Sequence, residues 1–266
     1  MANNMVLGLT ALISLVPASL LPYRRGTGRR DAVFWALLAA AVVGPVCVSL
    51  VQLVDAWNTG LSMALWISIA ASMVIFAGLC VMAREAWRLT PILLPYLCLL
   101  AILAVIWAQV PAEQALDVAF EGWLVVHIAT AVVTYALATL AAVAAAAVFL
   151  QERALKRKQT GMAGLPSIVD GELLQVGLLV AGEVVLGAGI LTGMALGYLM
   201  TGSLLPFDHK TILSLLAFLV IGLLLLVHFR TGLRGQRAAR VVLLAYLLIT
   251  LAYPGVKFVT DVLIGA

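Results

Sequence analysis

Apolar residues in this chain come in long blocks separated by short polar connectors. An α-helix needs roughly 20 mostly apolar residues to cross a bilayer. Eight blocks meet that length: 5–23, 32–54, 61–83, 91–110, 122–150, 172–200, 211–229 and 241–259. The pattern predicts an all-α fold, a polytopic transmembrane helical bundle of about eight spans. A single integral-membrane domain is expected over residues 1–266, because the connectors are too short to fold alone. The longest connector, 151–171 (QERALKRKQTGMAGLPSIVDG), is expected to extend the fifth helix and then turn flexibly. The acidic segment 111–121 (PAEQALDVAFE) is expected to form a short interfacial helix.

Two of the blocks differ from the rest. The fifth (HIATAVVTYALATLAAVAAAAVFL) is dense in alanine, and the sixth places Gly189, Gly193 and Gly197 on one face, with Gly182 a little earlier. Small residues at that spacing let helix backbones approach closely in lipid. They also leave room for a planar ligand between helices.

Composition and charge narrow the class. Hydrophobic residues make up 64% of the 266 and charged residues 11%. A soluble domain of that composition would expose an apolar surface, so the partner that the chain must have is a lipid bilayer. The net charge of +4 matters less than its placement. Fourteen of the 16 Lys and Arg fall in alternate connectors, on one side of the predicted bundle. The positive-inside rule then puts both termini outside the cytoplasm, as expected for a multi-pass protein of a bacterial inner (plasma) membrane. The first block has no basic residue before its apolar stretch and is expected to be a retained span. Cys47, Cys80 and Cys98 lie inside apolar blocks as expected packing residues, with no CxxC or zinc spacing. There is no Ser-His-Asp pattern, HExxH, P-loop or nucleotide fingerprint, so no enzyme activity is supported and no nucleic-acid partner is expected.

The candidate chemistry rests on the three histidines. Imidazole is a common metal and haem ligand. His127 opens the fifth block and His209 the seventh, on the same predicted side. If those helices are neighbours, the two imidazoles share one pocket as axial ligands of a low-spin haem. Asp208 or Tyr135 would then support them by hydrogen bonds. The alternatives are a solvated interfacial His209 and a His127 bonded to a neighbouring helix. His228 lies about 20 residues along from Asp208, roughly 30 Å, so it cannot share a mononuclear site with the other two. Alone, it reads as a residue snorkelling beside Arg230. Glu183 sits near the middle of the sixth helix with no Lys or Arg at its depth, and is expected to be protonated or hydrogen-bonded.

Several segments together resemble the cytochrome c assembly superfamily of haem-handling proteins (CcsA/CcmC/CcmF-like). His127-Ile128, Tyr135-Ala136-Leu137 and Gln151-Glu152-Arg153 resemble its first signature helix. Gly182, Leu186, Gly189, Ile190 and Gly193 match its G-F-x-x-L-T-x-G-I-x-x-G segment, with Glu183 and Gly187 as departures. Asp208-His209-Lys210 is similar to its W-D-P-K, His228-Phe229-Arg230 to its L-H-T-R, and 232–238 to its G-W-R-G-R-R-A. Tyr253 and 255–258 resemble its closing Y-x-G-V-N-F. The resemblance covers about 120–260, and the Asp-His-Lys form is most like the YpjD inner-membrane branch.

The resemblance implies an outer-side haem-ligand position for His127 and an intramembrane one for His228. Two departures stand against it. The segment 198–206 lacks the superfamily's tryptophans, and no histidine follows the last block, which leaves His209 as a substitute ligand. The leading expectation is therefore a haem-binding or haem-handling membrane protein carrying haem b. A non-catalytic membrane scaffold that keeps the fold without haem is the alternative, packing on Gly189, Gly193 and Gly197 against a membrane protein partner or a second copy. A small-solute or ion transporter dependent on Glu183 comes third.

Overall fold

The computed structural model describes residues 2–24, 30–55, 60–109, 122–158, 162, 164–202, 209–255 and 258–259. Among them are eight helices long and apolar enough to cross a membrane, and no strand. They are α1 (Ala2–Arg24), α2 (Ala32–Asp55), α3 (Leu61–Met82), α4 (Thr90–Ile106), α5 (Gly122–Lys156), α6 (Ile168–Thr201), α7 (His209–Thr231) and α8 (Gly235–Thr250). The protein is an all-α, multi-pass membrane protein. Segment 111–121 lies outside the described residues.

The bundle is organised around α5. Its apolar window is 83% buried, whereas no other helix exceeds 50%. It touches α3, α4, α6 and α8, while α1 packs against α2 and α4, and α2 against α3. Its alanines explain this position. Ala136, Ala138, Ala141, Ala142, Ala144, Ala145 and Ala147 are all buried, so neighbours approach its backbone from every direction. Lipid supplies no hydrophobic drive between helices, so close packing of this kind is what holds them together.

The helix ends follow local rules. Ser167 caps α6: its hydroxyl oxygen accepts from the Asp170 N–H at 3.2 Å. Gln151 shapes the α5–α6 connector. Its Nε2 donates to the carbonyls of Met162 and Pro166, both at 3.1 Å, and its Oε1 accepts from the Met162 N–H at 2.9 Å. Arg30 donates to the Cys80 carbonyl, one of the otherwise orphaned carbonyls at the end of α3, and its guanidinium lies 5.0 Å from the centre of the Trp35 ring.

The last span differs most from the sequence expectation. The last helix begins at Gly235, not 241, because its arginine-bearing first turns are helical although they are not apolar. It passes into a π-helical turn over Leu251–Gly255, where Pro254 cannot donate to the helical ladder. Among the cysteines Cys80 is buried, but Cys47 faces outward from the bundle.

Candidate functional site

His127 lies in the second turn of α5, half-buried against α6. Its Nδ1 is 3.1 Å from the Gly189 carbonyl and 3.3 Å from the Thr192 hydroxyl. A carbonyl only accepts, so Nδ1 is the donor in this contact, and in a neutral ring that leaves the lone pair on Nε2. The Thr192 hydroxyl donates to the same carbonyl at 3.0 Å. The imidazole lies on Gly193, where a Cβ would stand 2.9 Å from its Cε1. One turn along, Thr130 lies over Gly189, at 3.3 Å from where a Cβ would be. At Gly189 and Gly193 the glycine face of α6 is therefore filled by α5, with Thr130 and His127 as the inserted side chains.

Tyr135, Glu183 and His228 are not gathered there. Tyr135 lies eight residues further along α5, about 12 Å at 1.5 Å per residue, and does not support His127. Thr192 and the Gly189 carbonyl take that part instead. The Tyr135 hydroxyl meets those of Tyr96, at 3.4 Å, and Tyr246, at 3.2 Å. Tyr96 and Tyr246 also bond to each other, and the Thr139 hydroxyl lies 3.2 Å from that of Tyr246. The cluster joins α4, α5 and α8 deep in the bundle, with Tyr135 only 1% exposed. Sequence reasoning missed it. Its signal is three tyrosines in apolar helices whose hydroxyls need partners away from water.

Glu183 faces α7, where a Cβ on Gly222 would lie 2.9 Å from its Oε1. Its Oε2 is buried, with no hydrogen-bond partner among the described residues. His228 ends α7 at the opposite end of the bundle from His127. Its Nδ1–H donates to the Leu233 carbonyl at 2.8 Å, which ties the last turn of α7 to the loop before α8. Asp208 and the side chain of His209 lie outside the described residues.

The arginine-rich end has its own organised polar cluster. Gly235 opens α8 with φ of 68°, and its N–H donates to Glu172 Oε1 at 2.7 Å. A carboxylate at a helix N-terminus also faces the positive end of the helix dipole. The Glu152 carboxylate packs directly on Gly235 and lies 3.5 Å from the Lys156 ammonium, which in turn donates to Gln236 at 2.9 Å. Gln151-Glu152-Arg153 and 232–238 are distant in sequence, and here they meet.

Among the described residues the fold is a bundle of eight membrane-length helices, with a histidine held between two tightly packed ones. The chain belongs to the cytochrome c assembly protein family, whose model matches residues 33–264. That match reaches well beyond the motif-bearing segment, into α2. The chain is also 53% identical, over 100% of both chains, to a protein of Azospirillum brasilense named "Uncharacterized 28.8 kDa protein in nifR3-like 5'region". No solved structure matches it.

Proposed function

We propose that the protein binds haem b non-covalently, with His127 Nε2 as one axial ligand and His209 as the other. The supporting observation is the Nδ1–H bond of His127 to the Gly189 carbonyl at 3.1 Å. Histidines that ligate iron commonly donate their other ring N–H to a carbonyl or carboxylate, which orients the ring and raises its basicity. Thr192 and Gly193 hold the ring in that orientation. Bound haem supplies an iron that takes imidazole nitrogen and cycles by one electron. Family membership supports a haem-handling role. His228 is similarly held through Nδ1 and would serve a second haem near the arginine-rich end.

The membrane is read as the bacterial inner membrane, with the arginine-rich end in the cytoplasm and both termini outside. His127 then faces the outer side. A second membrane protein or a second copy is the expected partner.

The alternative reading, a scaffold without haem, has one observation in its favour. The hydrogen bond to α6 already satisfies the polar need of His127, which makes the histidine a helix-packing residue. A pyridine haemochrome assay on detergent-purified protein, expressed with ample haem, separates the two. Stoichiometric haem that falls away in His127→Ala and His209→Ala supports the first reading. A well-folded, colourless wild type supports the second.

A further inference from the structure

The first turns of α8 carry Arg237 and Arg240, both exposed, and Arg234 just before them is exposed too. No hydrogen bond, ion pair or ring contact engages any of the three among the described residues. The carboxylates at this end are held elsewhere: Glu152 by Lys156, Glu172 by the Gly235 N–H, and Asp170 by Ser167. Three cations in succession, without counter-ions among the described residues, are free to take an anion from outside the protein.

The rest of the helix face says which anion. At 100° per residue, Arg237, Arg240, Leu244 and Leu247 fall within an arc of about 80°. Leu244 and Leu247 are 50% and 52% exposed, whereas Ala238, Ala239, Val242 and Ala245 are buried on the opposite face. From Arg237 to Leu247 the helix rises about 15 Å, the hydrocarbon depth of one leaflet in a core of about 30 Å. The Cα–Cβ bonds of a helix tilt toward its N-terminus, which aims both guanidinium groups back at the arginine-rich end. Cationic forks at headgroup level, above a leucine stripe at acyl-chain level, match an anionic lipid and not a free anion.

We propose that this face of α8 binds the phosphodiester headgroup of an anionic phospholipid, with Arg237 and Arg240 on the phosphate and the acyl chains along Leu244 and Leu247. A guanidinium fork suits phosphate oxygens, and the phosphate also meets the positive end of the α8 dipole. The lipid site is built from α8 alone and needs no haem.

The test is native mass spectrometry on the full-length chain, titrated with phosphatidylglycerol and with phosphatidylcholine of the same acyl chains. One phosphatidylglycerol is expected to bind ahead of phosphatidylcholine. Removing an arginine weakens attraction to an anionic headgroup about fivefold, so R237Q/R240Q is expected to bind about 25-fold more weakly. R237K/R240K keeps the charge, loses the fork and is expected to fall between. R153Q/R157Q, at the end of α5 and off the leucine stripe, is expected to bind like wild type. Equal binding of the two lipids would overturn the proposal, as would undiminished phosphatidylglycerol binding by R237Q/R240Q or an equal loss in R153Q/R157Q. Displacement of the lipid by excess inorganic phosphate would reassign the arginines to a free anion and overturn it as well.

Discussion

Gly193→Ala is the sharpest probe of how α5 and α6 fit. The added methyl would stand 2.9 Å from His127 Cε1, against an ordinary carbon contact of about 3.5–4.0 Å. The ring must therefore move by about 0.8 Å, since the helix backbone cannot give as easily. Overfilling a packed contact costs about 1–3 kcal/mol. Shifting the ring also weakens its bond to the Gly189 carbonyl, worth about 0.5–1.5 kcal/mol. Alanine recovers about 1 kcal/mol of helix propensity. The net is about 2 kcal/mol, a fall in melting temperature of about 4–8 °C. Gly177→Ala is the matched control on the same helix, because nothing lies within 4 Å of its added methyl. It is expected to melt at or above wild type. The assay is size-exclusion of heated, detergent-solubilised protein. Gly193→Ala melting with Gly177→Ala, at or above wild type, would refute the account of the α5–α6 contact.

Other predictions follow from particular contacts. Gly235→Ala combines a φ of 68° with a carboxylate already pressed on that position, and should cost clearly more melting temperature than Gly232→Ala, where φ is 69° and space is open. Tyr246→Phe removes the hydroxyl that meets Tyr96, Tyr135 and Thr139, and should cost about 1–3 kcal/mol, measured against wild type by the same melting assay. A Tyr96→Phe/Tyr246→Phe double-mutant cycle should then show coupling, because the two share one bond. His228→Ala should loosen the α7–α8 turn by about 1 kcal/mol through loss of the Leu233 contact, seen as faster proteolysis after Arg230 or Arg234.

Much of this architecture is legible in the order of residues alone, and the reasons are physical. Bilayer thickness sets helix length, so α2 and α3 fall almost where apolar length puts them. The glycine face of α6 signals a close helix contact, and α5 supplies it through His127 and Thr130. What apolarity does not show is where a helix continues past its apolar stretch. Arg237 and Arg240 read as connector, yet they belong to the first turns of α8 and lie on its exposed side. The register between neighbouring helices is equally silent in a single sequence. Tyr135 is on the same helix as His127, so it invites a shared site, but the packing of α4 and α8 claims its hydroxyl instead. The partnership of Thr192 with His127 depends on the same unseen register. Its only sequence trace is a threonine beside Gly193 in the glycine face.

The measurement that bears most directly on the central reading is low-temperature electron paramagnetic resonance of the oxidised, haem-loaded protein, beside His127→Ala and His209→Ala. The account predicts a low-spin signal from two imidazole ligands in wild type, converted to high-spin, or lost with the haem, in each variant. A low-spin signal that persists unchanged in His127→Ala would contradict it.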